Sequence, residues 1–298
     1  MKKYSVVFAT DENYIQHLSV ALVSLFINND DCKFDIYIIC SGMSEENFAK
    51  LQSIGDKYQA TIKQIVVNDE VFDTLVTNHH FTKANYYRLL IPNFIQEDKV
   101  LYLDADIVVN GSIKNLFSID LEDKYIAAVL NPGFQRHQEL KMNLDSEYFN
   151  SGVMLINNKL WKMHSITDKV IKFVDDNQSV IQFVDQCGLN AIVNGNWIKI
   201  PLKFNQQAVI FEKDFKEKYS CFSDDELNEA KENPVIIHYT GSSKPWHFRN
   251  KHPYKHLYWK YLRMTPFKRY IPEDLTVINV IKWMIPKSIK EFIKGLKK

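Results

Sequence analysis

No stretch of 18 consecutive apolar residues occurs in the chain, so a membrane-spanning helix is not expected. Cysteine is scarce: Cys32, Cys40, Cys187 and Cys221 show no CxxC or zinc-type spacing. That argues against a disulfide framework or a structural zinc, and for reduced thiols in a cytoplasmic protein. Nothing like a signal peptide precedes the first apolar run at Tyr4. No GxGxxG follows that run, so the usual dinucleotide fingerprint is missing. A charge excess is lacking too, with a formal net charge of +1. The balance hides an asymmetry. Residues 251–298 carry twelve Lys and Arg against Glu273, Asp274 and Glu291, whereas the first 250 hold 25 basic and 33 acidic residues. An acidic body with a basic tail points to an anionic surface as the tail's partner, and not to nucleic acid.

What is present suffices for a large core: 298 residues, 46% hydrophobic. Tyr4–Ala9, Phe34–Cys40 and Thr61–Val67 read as strands. Between them, Tyr14–Asn28 has apolar residues at helical spacing, and Ser44 can cap a second helix, with Asn47 a weak match to a capping box. This β-α-β-α-β alternation predicts an α/β fold with a mostly parallel sheet. The expected organisation is a catalytic body over 1–250 and an extension over 251–298. Ligands of such sheets gather at the carboxyl ends of the strands, where Asp11 and Asn13 fall.

Lys99–Val109 is the central feature, a strand-like apolar run interrupted by Asp104 and Asp106. Carboxylates two residues apart in an extended segment point the same way and repel unless a cation or water intervenes. A metal site and a solvated strand end are both open on this pattern. Phe81–Pro92 reads as a helix ended before the proline, with Arg88 among apolar neighbours. Such an arginine either snorkels or fixes an anion. Asn150, Ser151 and Gly152 fall just before a buried strand, suiting either a turn or a sugar's hydroxyls. Asp185 and Gln186 open a helix, as a cap or as site residues. His238 leaves a short strand ahead of a Gly-Ser-Ser loop and Lys244, a sensible diphosphate clamp. With Asp104 and Asp106, His238 makes a carboxylate–imidazole set that Mn²⁺ tolerates better than Mg²⁺ or Ca²⁺.

Six segments in consistent order carry a resemblance: Ala9–Tyr14, Tyr87–Leu89, Leu101–Asp106, Phe149–Val153, Asp185–Gln186 and His238–Trp246. Together they resemble glycosyltransferase family 8, which includes bacterial lipopolysaccharide galactosyl- and glucosyltransferases and glycogenin. The resemblance implies a GT-A fold, a UDP-galactose or UDP-glucose donor, Mn²⁺ with Mg²⁺ as the other candidate, and transfer with retention to an α-linkage. It implies Asp104, Asp106 and His238 as metal ligands, and Ala9, Asp11 and Asn13 against uridine and ribose. Gly241 and Lys244 would hold the diphosphate, and Arg88, Asn150, Asp185 and Gln186 would surround the sugar. Thr10, Ala105 and Ser151 complete the donor set. Lys244 would stabilise the leaving phosphate, and Gln186 or Asp185 the sugar centre. Many members continue Asp-Gln with a second Asp, where Cys187 stands here. The implied acceptor is a saccharide or a lipid-linked glycan. A silent sugar-nucleotide-binding subunit and a glycogenin-like self-glucosylating protein are the alternative functions.

The basic tail mixes aromatics with cations and is divided by Pro286 into two short amphipathic pieces. It predicts peripheral binding at the inner face of the membrane; a helix packed on the body is the competing expectation.

Overall fold

Apolar periodicity becomes secondary structure much as the alternation predicts. The computed structural model describes residues 2–77 and 82–285. Strand β1 (Lys3–Ala9) buries Tyr4 to Phe8. Helix α1 (Ile15–Ile27) follows and is buried on nearly every face, so Ser19 and Ser24 satisfy their hydroxyls on the carbonyls of Ile15 and Ala21. Strand β2 (Lys33–Cys40), helix α2 (Glu45–Tyr58) and strand β3 (Thr61–Val66) complete the first half. Ser44 caps α2 by accepting from the Asn47 N–H. The carboxylate that a capping box would draw from position 47 comes instead from Glu12, which accepts from the Ser44 N–H, the Ser44 hydroxyl and the Asn47 amide.

The remaining strands are β4 (Lys99–Leu103), β5 (Ile107–Val109), β6 (Ile126–Leu130), β7 (Phe149–Asn157), β8 (Trp197–Lys199), β9 (Gln206–Gln207) and β10 (Ile236–His238). Of these ten strands, seven form the central sheet in the order β3-β2-β1-β4-β7-β6-β8, and β5-β10-β9 form a second, small sheet. In the large sheet only β7 runs against its neighbours β4 and β6; the other pairings are parallel. This is the mixed, mostly parallel α/β architecture expected. Tyr102, Phe8 and Trp161 are fully buried in its core, each contributing roughly 1.5–3 kcal/mol or more.

Three local expectations are corrected. Lys99–Val109 is not one interrupted strand: the chain leaves the large sheet after Leu103 and enters the small one at Ile107, so Asp104–Ala105–Asp106 is the crossing between sheets. Pro92 does not end a helix. Lys83–Leu90 is a 3₁₀ segment, and α3 (Ile91–Phe94) carries Pro92 in its first turn, where no N–H is needed; Phe81 lies outside the described residues. Asn150, Ser151 and Gly152 lie inside β7 rather than before it.

Helix α4 (Ile166–Asp176) packs beside α5 (Val184–Val193). Beyond residue 250, α6 (Lys255–Leu262) lies on α1 and buries Tyr258, Tyr261 and Leu262 in the main core. Asn28, which follows the last turn of α1, donates to the Tyr261 hydroxyl at 2.8 Å. Helix α7 (Val277–Met284) leaves Val277, Ile278, Ile281 and Met284 exposed. The second amphipathic piece, 286–298, lies outside the described residues. Among the described residues no helix is long and apolar enough to cross a membrane.

Candidate active site

Strand register brings the site together. Strands β1 and β4 are parallel, with Phe8 beside Leu103, so Ala9–Asn13 and Asp104–Asp106 leave the same sheet edge. Strand β7 starts from that edge, because Leu103 pairs with Val153 in the opposite direction. The Asp104 N–H donates to the Gly152 carbonyl at 2.8 Å. His238 enters from the small sheet, paired with Ile107.

There Asp104, Asp106 and His238 each offer one ligand atom, all within 4.8 Å of one another. His238 Nε2 lies 3.3 Å from Asp106 Oδ1 and 3.7 Å from Asp104 Oδ2. Each carboxylate has its own cation, which offsets their repulsion. Arg88 Nη2 is 3.1 Å from Asp104 Oδ1, and the Lys244 ammonium sits on Asp106 Oδ2. Burial pushes the Asp106 carboxyl up, but Lys244 and His238 outweigh it and hold it well below the usual carboxylate range. A divalent cation fits this donor set, two carboxylate oxygens and one imidazole nitrogen. Gly152 supplies the room. A Cβ there would lie 2.2 Å from His238 Cε1 and 2.7 Å from Asp104 Oδ2.

Arg88 is 3% exposed and does not snorkel. Its Nη1 donates to the Ser151 carbonyl at 2.8 Å, its Nε to the Asn85 carbonyl at 3.0 Å, and its guanidinium carbon lies 4.5 Å from the Tyr102 ring centre. The same Nε is 3.0 Å from Asp185 Oδ2, but its hydrogen points at Asn85, so Arg88 gives that oxygen charge without a hydrogen bond. Burial raises the Asp185 carboxyl to about 7, against the pull of Arg88. Asp185 is in the first turn of α5, yet no side chain caps that helix. Gln186 turns to β7, where its Oε1 accepts from the Ser151 N–H at 3.0 Å. Cys187 is buried with Leu140, Met142 and Tyr148, and its sulfur is 3.3 Å from the Tyr148 hydroxyl.

On the β1 side, Thr10 is buried, and Asp11 Oδ1 accepts from the Asn13 N–H at 2.9 Å to cap a short turn. Ala105 is buried between the two aspartates. Tyr14 stands close enough to the carboxylates that burial and the charges of Asp106, Asp11 and Asp104 push its phenol up to about 12. Gly241, at φ +82°, lies in the exposed loop before Lys244. That loop is held from behind by the segment after residue 250. The Trp259 indole donates to the Pro245 carbonyl at 3.1 Å, and the Lys255 ammonium to the His247 and Phe248 carbonyls at 2.7 and 2.8 Å. Asp274 accepts from the Phe248 N–H at 2.6 Å.

Sequence reasoning missed Tyr14, Tyr102, Tyr148 and Asn205. Tyr102 donates to Asp104 Oδ1 at 2.7 Å, and Asn205 Oδ1 lies 2.9 Å from His238 Nδ1. The one signal for Asn205 was a run of three amides, Asn205-Gln206-Gln207, all buried here.

A mixed, mostly parallel α/β sheet with a carboxylate pair and a histidine at its carboxyl edge is the GT-A architecture. A profile of glycosyl transferase family 8 matches residues 5–250. The chain belongs to that family and is a glycosyltransferase. General stress protein A of Bacillus subtilis is 33% identical over 267 residues, covering 87% of this chain and 93% of that protein. The lipopolysaccharide 1,2-glucosyltransferase of Escherichia coli is 31% identical over 252 residues, 82% of this chain and 73% of that one. Among solved structures, the galactosyltransferase LgtC in complex with donor and acceptor sugar analogues has a TM-score of 0.79 at 28% identity, covering 91% of this chain and 98% of that chain.

Proposed function

We propose that the protein is a metal-dependent, retaining hexosyltransferase that moves galactose or glucose from a UDP-sugar to a hydroxyl of a saccharide or lipid-linked glycan, forming an α-linkage. The observation that carries this reading is the convergence of Asp104, Asp106 and His238, flanked by Arg88 and Lys244. The relatives named as lipopolysaccharide glucosyl- and galactosyltransferases support a hexose donor and a role in cell-surface polysaccharide assembly.

Asp104, Asp106 and His238 would hold Mn²⁺, which supplies electrophilic stabilisation of the departing diphosphate. Lys244 shares that charge from Asp106 and the 240–246 loop. Ala9, Thr10, Asp11 and Asn13 line the nucleoside end, and Gly241 lets the loop approach the phosphates. Arg88 holds Asp104 and Asp185 in place. Gln186, a neutral amide, faces the developing positive charge on the sugar without being a strong nucleophile. The acceptor hydroxyl attacks from the face the diphosphate leaves, and the departing oxygen takes its proton.

The exposed apolar residues of α7, followed in the sequence by Lys287, Lys290, Lys294, Lys297 and Lys298, support peripheral attachment at the inner membrane face. UDP release from UDP-galactose and UDP-glucose, measured with and without Mn²⁺, tests the reaction. Release by the wild type should require the metal and fall by at least ~100-fold in Asp106→Asn. UDP binding without turnover on any acceptor tried would favour a silent subunit and overturn the proposal.

A further inference from the structure

Asn205 belongs to none of the motifs, yet it is fully buried directly behind His238. Its Nδ2 donates to Asn150 Oδ1 at 2.8 Å. Asn150 Oδ1 also accepts from the backbone N–H of Gly152 at 3.0 Å. A relay therefore runs from Gly152 through Asn150 and Asn205 to His238.

Side-chain amides can be turned end for end, but the polarity here starts from a group that cannot. A backbone N–H only donates, so the Asn150 atom facing Gly152 is its oxygen. That oxygen also faces Asn205, which must present its NH₂ group there. The oxygen of Asn205 is then the atom 2.9 Å from His238 Nδ1, and Nδ1 must carry a hydrogen to meet it. In the neutral ring the lone pair is left on Nε2, the nitrogen 3.3 Å from Asp106 and 3.7 Å from Asp104. The opposite tautomer would set the lone pairs of Nδ1 and the Asn205 oxygen against each other in a fully buried place.

We infer that Asn205 is a positioning residue of the metal centre: through Asn150 it transmits the polarity of the Gly152 N–H to His238, fixing the Nδ1–H tautomer and aiming the Nε2 lone pair between Asp104 and Asp106. The inference rests on the metal reading above. It also gives Asn150 a task other than touching sugar, since its second amide end already meets Asn131 Oδ1 at 3.3 Å. Gly152 acts twice, by lacking a Cβ and by setting the direction of the relay.

Two readouts other than turnover test it on the full chain. In ¹⁵N-histidine-labelled protein without metal, His238 Nδ1 should carry a hydrogen, whether Nε2 is bare or also protonated against the carboxylates. Mn²⁺ titrated alone and followed by electron paramagnetic resonance should bind on the order of 10–100-fold more weakly to Asn205→Leu. Asn205→Asp keeps an acceptor opposite Nδ1, so it should keep the tautomer and bind Mn²⁺ more tightly than Asn205→Leu. A wild-type ring whose Nδ1 carries no hydrogen overturns the inference, and that measurement decides even where Asn205→Leu does not fold. A folded Asn205→Leu with wild-type Mn²⁺ affinity also overturns it. A wild type that binds no Mn²⁺ while showing Nδ1–H brings down the metal reading, and the positioning role with it, but leaves the relay's polarity intact. The two failures are thus distinguishable.

Discussion

The imidazole of His17 lies flat against the indole of Trp246, ring centres 3.5 Å apart and planes 14° from parallel. The contact ties α1 to the loop that carries Lys244, and His17 Nδ1 shares a 2.7 Å hydrogen bond with the Tyr258 hydroxyl of α6. Three parts of the chain meet at one buried ring.

That ring should make stability depend on pH. Burial lowers its pKa from 6.5 to about 3, so between those values the unfolded chain binds a proton the folded one does not. The stabilisation is complete above pH 6.5 and is lost as pH falls toward 3. By pH 5 the loss should be about 2 kcal/mol. Urea unfolding at pH 7.5 and pH 5 should show the wild type losing that much more than His17→Gln. Equal losses would rule out His17 as the source.

Shortening the chain should separate two roles of the C-terminal segment. Cutting after residue 250 removes Lys255, Trp259 and Asp274, which hold the Pro245–Arg249 backbone, and takes Tyr258, Tyr261 and Leu262 out of the core, so metal-dependent UDP release should fall by at least ~10-fold together with stability. Cutting after residue 285 keeps those supports and should leave release unchanged while abolishing sedimentation with anionic liposomes. A cut at 270 mixes the effects, because it takes Asp274. Pelleting that survives the 285 cut would refute membrane attachment through the last thirteen residues.

Gly152→Ala should damage the centre more than the fold. The new methyl meets the His238 ring, and such overpacking costs about 1–3 kcal/mol. Mn²⁺ affinity should fall on the order of 10–100-fold because the ring must turn away. Titration of the metal beside a thermal melt distinguishes this from simple unfolding. A variant that binds Mn²⁺ normally would show that the ring is not held where the structure has it.

Arg88→Met should leave Asp104 and Asp185 without their shared cation. Breaking a buried pair in this way costs about 3–5 kcal/mol. Adding Asp185→Asn should recover part of the loss, since a neutral amide tolerates that burial better than a carboxylate. Additive losses in a double-mutant cycle would show that the two residues are not coupled.

The sequence by itself determined the alternation of strands and helices, because apolar spacing is a property of neighbouring residues. It also determined which residue types could do the chemistry, from Asp104 and Asp106 to His238. Tertiary structure alone decided what these residues touch. Asp104–Ala105–Asp106 became a crossing between two sheets because β5 pairs with β10, a partner more than a hundred residues away. Glu12 completed the cap of α2, Pro92 opened a helical turn instead of closing one, and Asn205 came to lie behind His238. Each depends on a hydrogen-bond partner or packing surface that strand register supplies, and register is fixed only when the whole sheet has formed.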